Sequence, residues 1–436
     1  MFLLPAAVAA LLVCLFTAPR VAPAADLDFA RVLDAALARS HDLTLARMDV
    51  EYKEETVSEV VYDFLPTVSL SGTNEYIKDL SGDGVTTAVG DSVLTASTSY
   101  QNSYSTNLRW RLIDFGATFK KYEAAALDAE SSKAGLGKAE LDLKVQVLHL
   151  YRDALSAARE VEARQEMLPL LQEAAAIQDR LYAAGRVGRV PVVESGLRAS
   201  RTARELRELS LNLSSALKKL TLYTGEEYPE SGATLADLTP GSGAADLAWD
   251  AARHPEMRQY ALAIQSKEAQ REMVVRSMFP TLDAYYQYNY YGADPKSYAA
   301  ARDEVTERSY RVGVTVAVPI SEDLRKLHTL RRAELEAARL REQRDKKLEE
   351  LTQSYLDLKA RYAYYQEDVH MRSAMLEDVE AELGMLTRLL EGQAADRASY
   401  LDQKVALLAQ KLDLEKGLVA SAAAQMELEF LAEATR

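Results

Sequence analysis

The sequence predicts a mainly α-helical fold that carries a smaller β portion and is built from two copies of one pattern. Three observations predict it. The halves align with each other, Leu33–Arg39 on Leu247–Arg253 and Pro66-Thr67-Val68 on Pro280-Thr281-Leu282, both at an offset of 214. Two stretches, residues 117–182 and 323–390, are almost uninterrupted runs of strong helix formers. Four shorter stretches, residues 67–78, 98–113, 281–291 and 308–318, alternate in polarity with the period of a strand.

Residues 2–16 form one uncharged apolar run, too short for the roughly 20 residues of a spanning helix. Ala22 and Ala24 add a small-x-small cleavage pattern, so residues 1–24 read as a secretory signal. The single cysteine, Cys14, lies inside that segment and follows Val13, which does not suit lipid attachment. The exported chain then has no cysteine and depends on packing alone. Across the chain 66 acidic residues face 52 basic ones, a net charge of −14, which excludes a protein that holds nucleic acid by its phosphates. Later stretches do not reach the apolar length of a membrane helix, so any crossing of a bilayer must be made by strands.

In the first repeat, residues 25–225, a helix over 28–64 is expected to stop at Leu65-Pro66, because proline excludes the helical conformation before it. Strands 67–78 and 98–113 follow, separated by a polar loop containing Ser81-Gly82-Asp83-Gly84, then helices 117–182 and 191–224. After a linker, 226–244, the second repeat, 245–436, gives helix 245–278, strands 281–291 and 308–318, and helices 323–390 and 399–432. The offset drops to 207 where Leu181–Gly185 meets Arg388–Gly392, so the first copy holds a longer loop between its strands.

Each strand has one apolar and one polar face. Leu108, Trp110, Leu112, Val312, Val314, Val316 and Val318 share the first character; Arg109, Arg111, Gln287, Asn289 and Arg311 share the second. A soluble two-layer fold and a transmembrane barrel both produce this alternation. The tyrosines favour the barrel: seven of 23 lie within residues 285–310, where an aromatic girdle belongs.

The long helices extend roughly 100 Å each at 1.5 Å per residue. In the second, Leu348, Tyr355, Tyr362, Val369, Leu376, Leu383 and Leu390, with Leu351, Leu358, Tyr365, Val379 and Leu386, make a heptad seam broken once by Arg372. The first has two adjacent seams, Leu136, Leu143, Leu150 and Ala157 beside Leu141, Leu148 and Leu155, as suits a helix with a neighbour on each side. In each repeat the two shorter helices sum to close to the length of the long helix, so the long one can run beside two short ones placed end to end.

The five histidines lack metal-ligand spacing, and phosphate-binding, dinucleotide and serine-hydrolase motifs are missing. The expectation is no enzyme, no cofactor, no metal and no catalytic residue.

In the order of these elements, in Leu65-Pro66 and Phe279-Pro280 at strand entries, in Leu112-Ile113-Asp114-Phe115-Gly116 at a strand exit and in Leu181-Tyr182-Ala183-Ala184-Gly185 before a helical turn, the sequence resembles the TolC-type outer-membrane efflux proteins. The resemblance implies a homotrimer with four strands per subunit in one 12-stranded β-barrel, continued by a long coiled-coil α-helical barrel in the periplasm. It implies an exit duct for a tripartite efflux pump or type I secretion system, set in outer-membrane lipid and docked to a periplasmic adaptor and an inner-membrane pump. It places Gly185, Arg186, Gly188, Arg189, Gly392, Asp396 and Asp402 at the periplasmic tip. The acid positions of well-known members fall here on Pro191, Ala398 and Leu401, with Asp396 and Asp402 close by. The competing reading is an exported coiled-coil scaffold or adhesion protein without channel activity.

Overall fold

In the computed structural model the described residues are 27–78, 85–89, 92–96, 99–228, 235–241, 249–318, 322–391 and 396–435. Residues 1–24, expected to be a secretory signal, the Ser81–Gly84 stretch expected to be a loop, and Gly392 lie outside them. The helices are α1 (Phe29–Arg39), α2 (His41–Tyr62), α3 (Ala117–Ala183), α4 (Arg189–Thr224), α5 (Pro255–Arg276), α6 (Tyr298–Asp303), α7 (Glu322–Glu391) and α8 (Arg397–Ala434). The strands are β1 (Thr67–Ile77), β2 (Val85–Val89), β3 (Ser92–Ala96), β4 (Ser99–Ile113), β5 (Thr281–Asp294) and β6 (Glu307–Ala317). None of the described helices is long and apolar enough to cross a membrane.

Three elements differ from the sequence expectation. The helix over 28–64 is two helices, because Ser40 leaves the helical conformation and its Oγ accepts from Leu43 N at 3.2 Å, capping α2. The helix expected from 245 begins at Pro255, after a 3-10 turn at Ala251–Arg253 in which Asp250 accepts from Ala252 N. Proline suits a first helical position because the amide it lacks would have had no partner there. Between β1 and β4, where only a loop was expected, β2 and β3 pair as an antiparallel hairpin. The Gly90-Asp91 dipeptide between them is a hairpin signal that the loop reading passed over.

The chain divides into two compact units, neither continuous in sequence. The first comprises residues 1–46, 136–255 and 348–436. Its core joins Phe29, Val32, Ala36 and Leu43 to Leu143, Val147, Leu148, Tyr151 and Leu155 of α3, Leu220 of α4, and Val419, Ala423 and Met426 of α8. Both apolar seams of α3 are used, since it packs against different helices on two sides. Tyr151 is fully buried, with its hydroxyl between the carbonyls of Leu27 (2.5 Å) and Ala236 (2.7 Å), which ties two extended segments bridged at Leu27 and Leu235. Burial pushes the Tyr151 phenol well above its ordinary range, so it stays a neutral donor.

The heptad seam of α7 is half-buried at every position from Leu348 to Leu390, whereas most of the residues between are exposed. It faces α8, where Tyr362 Oη donates to Gln425 Oε1 at 3.2 Å. Arg372, the charged interruption, is satisfied in place by Asp368 at 2.7 Å and Asp413 of α8 at 3.7 Å.

The second unit, residues 47–135 and 256–347, holds the four-stranded sheet, all antiparallel in the order β1-β4-β5-β6. The central pair, β4 with β5, joins one strand from each half of the sequence. Among the described residues, the outer edges of β1 and β6 have no strand partner.

Candidate functional site: a two-faced sheet and a basic helical turn

Register and pleat sort the sheet into two faces. One row across the four strands reads Val68–Leu108–Tyr286–Val312, and the next on the same face Leu70–Thr106–Tyr288–Tyr310. Between them, on the opposite face, runs Ser69–Asn107–Gln287–Arg311, flanked by Thr67–Arg109–Tyr285–Gly313 and Ser71–Ser105–Asn289–Ser309. The polar rows are cross-linked: Ser71 and Ser105 hydroxyls at 2.6 Å, Asn289 to Ser309 at 3.4 Å and Arg111 to Asp283 at 3.3 Å. A concavity on this face is lined by Thr67, Ser69, Asn107, Arg109, Tyr285 and Gln287.

The apolar face is uncovered. Leu70 is 80% exposed, Val312 72%, Val316 65% and Val314 64%. A contiguous apolar row of this kind is what a soluble monomer ordinarily buries. Leu112 is the unpaired residue of a bulge, and Ile113 instead takes the position opposite Leu282 and hence Val316. Val318 follows the last residue of β6.

Aromatic side chains mark both ends of this face. At the ends toward the helices are Phe64, Phe115, Phe279 and Trp110, all exposed, with Phe115 and Phe279 rings 5.2 Å apart and Trp110 Nε1 donating to the Phe64 carbonyl. At the other end Tyr76 contacts Tyr100 at 4.8 Å and Tyr100 contacts Tyr298 at 4.6 Å. The Asp114-Phe115-Gly116 motif makes the strand-to-helix joint. Phe115 and Gly116 both have positive φ (53° and 81°), and the Asp114 carboxylate accepts from Gly116 N at 2.9 Å and Thr118 N at 2.7 Å.

In the helical unit, α3 ends in a Schellman turn. Gly185 has φ 68°, and Arg186 N donates back to Leu181 O. Arg186, Gly188 and Arg189 are exposed, as are Val190 and Val193 at the start of α4. Asp396 sits in extended conformation before α8 and makes no side-chain cap bond. Asp402 is exposed and pairs with Arg198 of α4 at 3.4 Å, and Arg397 pairs with Glu173 of α3 at 3.0 Å. Ala398 and Leu401 are buried, which a carboxylate at either position would not tolerate without a partner. These ion pairs between α8 and the helices beside it have no signature in the sequence, because their partners are more than 200 residues apart.

Among the described residues, no three His, Cys, Asp or Glu side chains converge as a metal site would require.

The model of the family described as outer membrane efflux protein matches residues 32–226. No curated protein matches the chain. Among solved structures, the outer membrane protein VceC of Vibrio cholerae superposes with a TM-score of 0.74 at 14% identity, covering 93% of this chain and 95% of that one. CusC, whose structures concern folding and transmembrane channel formation, gives 0.73 at 16% identity over 93% and 91%. The CmeC outer membrane channel of Campylobacter jejuni gives 0.71 at 15% over 92% and 85%. At these identities the structures establish the fold, and the family model supplies the sequence link. The first repeat of the chain is thus similar to the outer membrane efflux protein family, and the chain as a whole shares the fold of these outer membrane proteins.

Proposed function

We propose that the protein is the outer-membrane exit duct of a tripartite efflux pump or type I secretion system, a passive conduit whose transport energy is supplied elsewhere. The observation that carries this reading is the uncovered apolar face on a sheet whose two edges are open. Three subunits placing β6 of one beside β1 of the next close a 12-stranded barrel, which removes the edges and turns the apolar rows toward lipid. The dimensions agree: β1, with 11 residues, runs roughly 35 Å along the strand and roughly 27 Å along a barrel axis at the usual tilt, close to the ~25 Å apolar band of such barrels. In this reading Arg109, Arg111, Gln287, Asn289 and Arg311 face the wet lumen, and the two repeats supply two strands each.

Exposed apolar stripes on α2 (Leu45, Met48, Tyr52) and α7 (Leu356, Tyr364, Met371, Met375) supply subunit contacts. The turn after Gly185 is the periplasmic tip, and it offers a periplasmic adaptor a basic and apolar surface, Arg186 and Arg189 beside Val190 and Val193. An exported scaffold leaves the apolar strand face without a purpose. Reconstitution of the mature chain in planar bilayers tests the proposal: a trimer giving stable conductance is the expected result, and a water-soluble monomer without conductance overturns it.

A further inference from the structure

On the apolar face of the sheet, at the end remote from the long helices, the polarity rule fails locally. Beyond the Leu70–Tyr310 row comes Gly72–Tyr104–Tyr290–Arg308, so Arg308 shares the face of Val312, Val314 and Val316. Its guanidinium is exposed and lies over the Tyr290 ring, 5.7 Å from the centroid. One pleat further, α6 is folded down onto this same face. Asn102 donates to the Tyr298 carbonyl at 3.0 Å, Ala301 is fully buried, and a Cβ added to Gly292 would stand 2.5 Å from the Ala301 carbonyl oxygen. The helix is held by design of its ends: Asp294 accepts from Lys296 N and Ser297 N, and Ser297 Oγ accepts from Ala300 N.

A helix laid on the outward face of a barrel wall is unusual, since lipid there tolerates only satisfied backbone. The level resolves it. Tyr76, Tyr100, Tyr104, Tyr290, Tyr298 and Tyr310 place this segment in the aromatic girdle, at headgroup height. At that height an arginine is nearly neutral, whereas at midplane it is costly. Arg308, with Lys296 and Arg302 exposed around α6, has no carboxylate within ion-pair distance among the described side chains. A guanidinium presents paired donors that match a phosphate.

We infer that α6 and Arg308 form an interfacial shoulder that binds the phosphate of an anionic outer-leaflet lipid. This rests on the barrel reading of the sheet. The phosphate accepts from Arg308, the acyl chains lie along the Val312–Val316 rows, and α6 fixes the depth at which the barrel sits.

The test is native mass spectrometry of the detergent-purified mature protein with diphosphoryl lipid A as probe, alongside phosphatidylcholine and inorganic phosphate. Wild type is expected to retain lipid A over phosphatidylcholine. Arg308→Gln is expected to reduce retention at least fivefold, and Arg311→Gln on the polar face to leave it unchanged. Gly292→Ala, which pushes α6 off the sheet, should lower retention with conductance intact. Equal retention by wild type and Arg308→Gln overturns the inference, as does displacement of lipid A by millimolar inorganic phosphate, which would mark a general anion site. A conducting pore without lipid A preference sinks this inference alone, whereas no pore sinks the exit-duct reading with it.

Discussion

Asp114 ends β4 and begins α3, and its carboxylate replaces two helical acceptors missing at that terminus. Partial burial works against its charge, but the hydrogen bonds from Thr118 and Gly116 and the nearby Arg111 outweigh that and hold its pKa below the usual carboxylate value. A folded pKa below the unfolded one means that the stabilisation is present above the ordinary carboxylate range and is lost as pH falls through the lowered value. Asp114→Ala should therefore cost about 1 kcal/mol at this helix start, read as faster amide exchange at Gly116 and Thr118 near neutral pH, corrected for the intrinsic rate. Wild type should approach the variant's behaviour only in strong acid. Identical protection in the two proteins at neutral pH would contradict the capping role. The Leu112–Gly116 stretch was visible in sequence as a strand exit, but the bulge at Leu112 was not: polarity counts along the strand put Leu112 with Trp110, and only cross-strand register reveals that Ile113 holds that place.

Elements were legible where periodicity is long and lost where a single side chain decides. The α7 seam was readable over six heptads, and the structure half-buries each of its positions. Arg372 looked like a defect in that seam. With Asp368 and Asp413 present it is part of the packing, and Arg372→Leu, though it repairs the heptad, strands the half-buried Asp368 carboxylate. The substitution should lower stability by about 1 kcal/mol, and adding Asp368→Leu should restore it; a single-variant melting temperature at or above wild type would refute this. The strands allow a sharper comparison. Val314→Lys or Val316→Lys puts a charge into the apolar rows and should impair barrel assembly, costing ~2–4 kcal/mol at midplane depth. Arg311→Lys, on the polar face, should assemble normally. Heat-modifiable gel mobility of the membrane fraction distinguishes them, and equal tolerance at all three positions would contradict the facing. The boundary at Ser40 and the β2–β3 pairing escaped the sequence reading for one reason: both turn on one or two residues, a capping serine and the Gly90-Asp91 dipeptide in the sequence between the strands, inside stretches whose composition spoke for something else.

At the scale of the molecule, an open sheet with two free edges and an uncovered apolar face is incomplete alone, and closure by copies of itself is the simplest completion. The sequence offers a direct test, because its one cysteine, Cys14, lies in the segment read as a secretory signal and residues 25–436 contain none. Cysteines introduced singly along β1 and β6, then in β1–β6 pairs, should cross-link subunits into trimers at one register offset. They should give none when the pair is moved to β4 and β6, which β5 separates within a subunit and β1 between neighbouring subunits of the proposed barrel. Cross-linking confined within subunits, or dimers at every pair, would remove the barrel. In the proposed duct, the turn after Gly185 makes a second demand on the same assembly. Arg186 and Arg189 project from the turn after Gly185 without a partner among the described residues, in a chain whose net charge is −14. That local reversal of sign suits an acidic or polar adaptor surface. Arg186→Glu with Arg189→Glu should reduce adaptor capture at least tenfold at low ionic strength, leaving trimerisation and bilayer conductance unchanged. Because the tip substitutions lie outside the sheet, loss of conductance along with capture would mean that these arginines hold the fold rather than a partner.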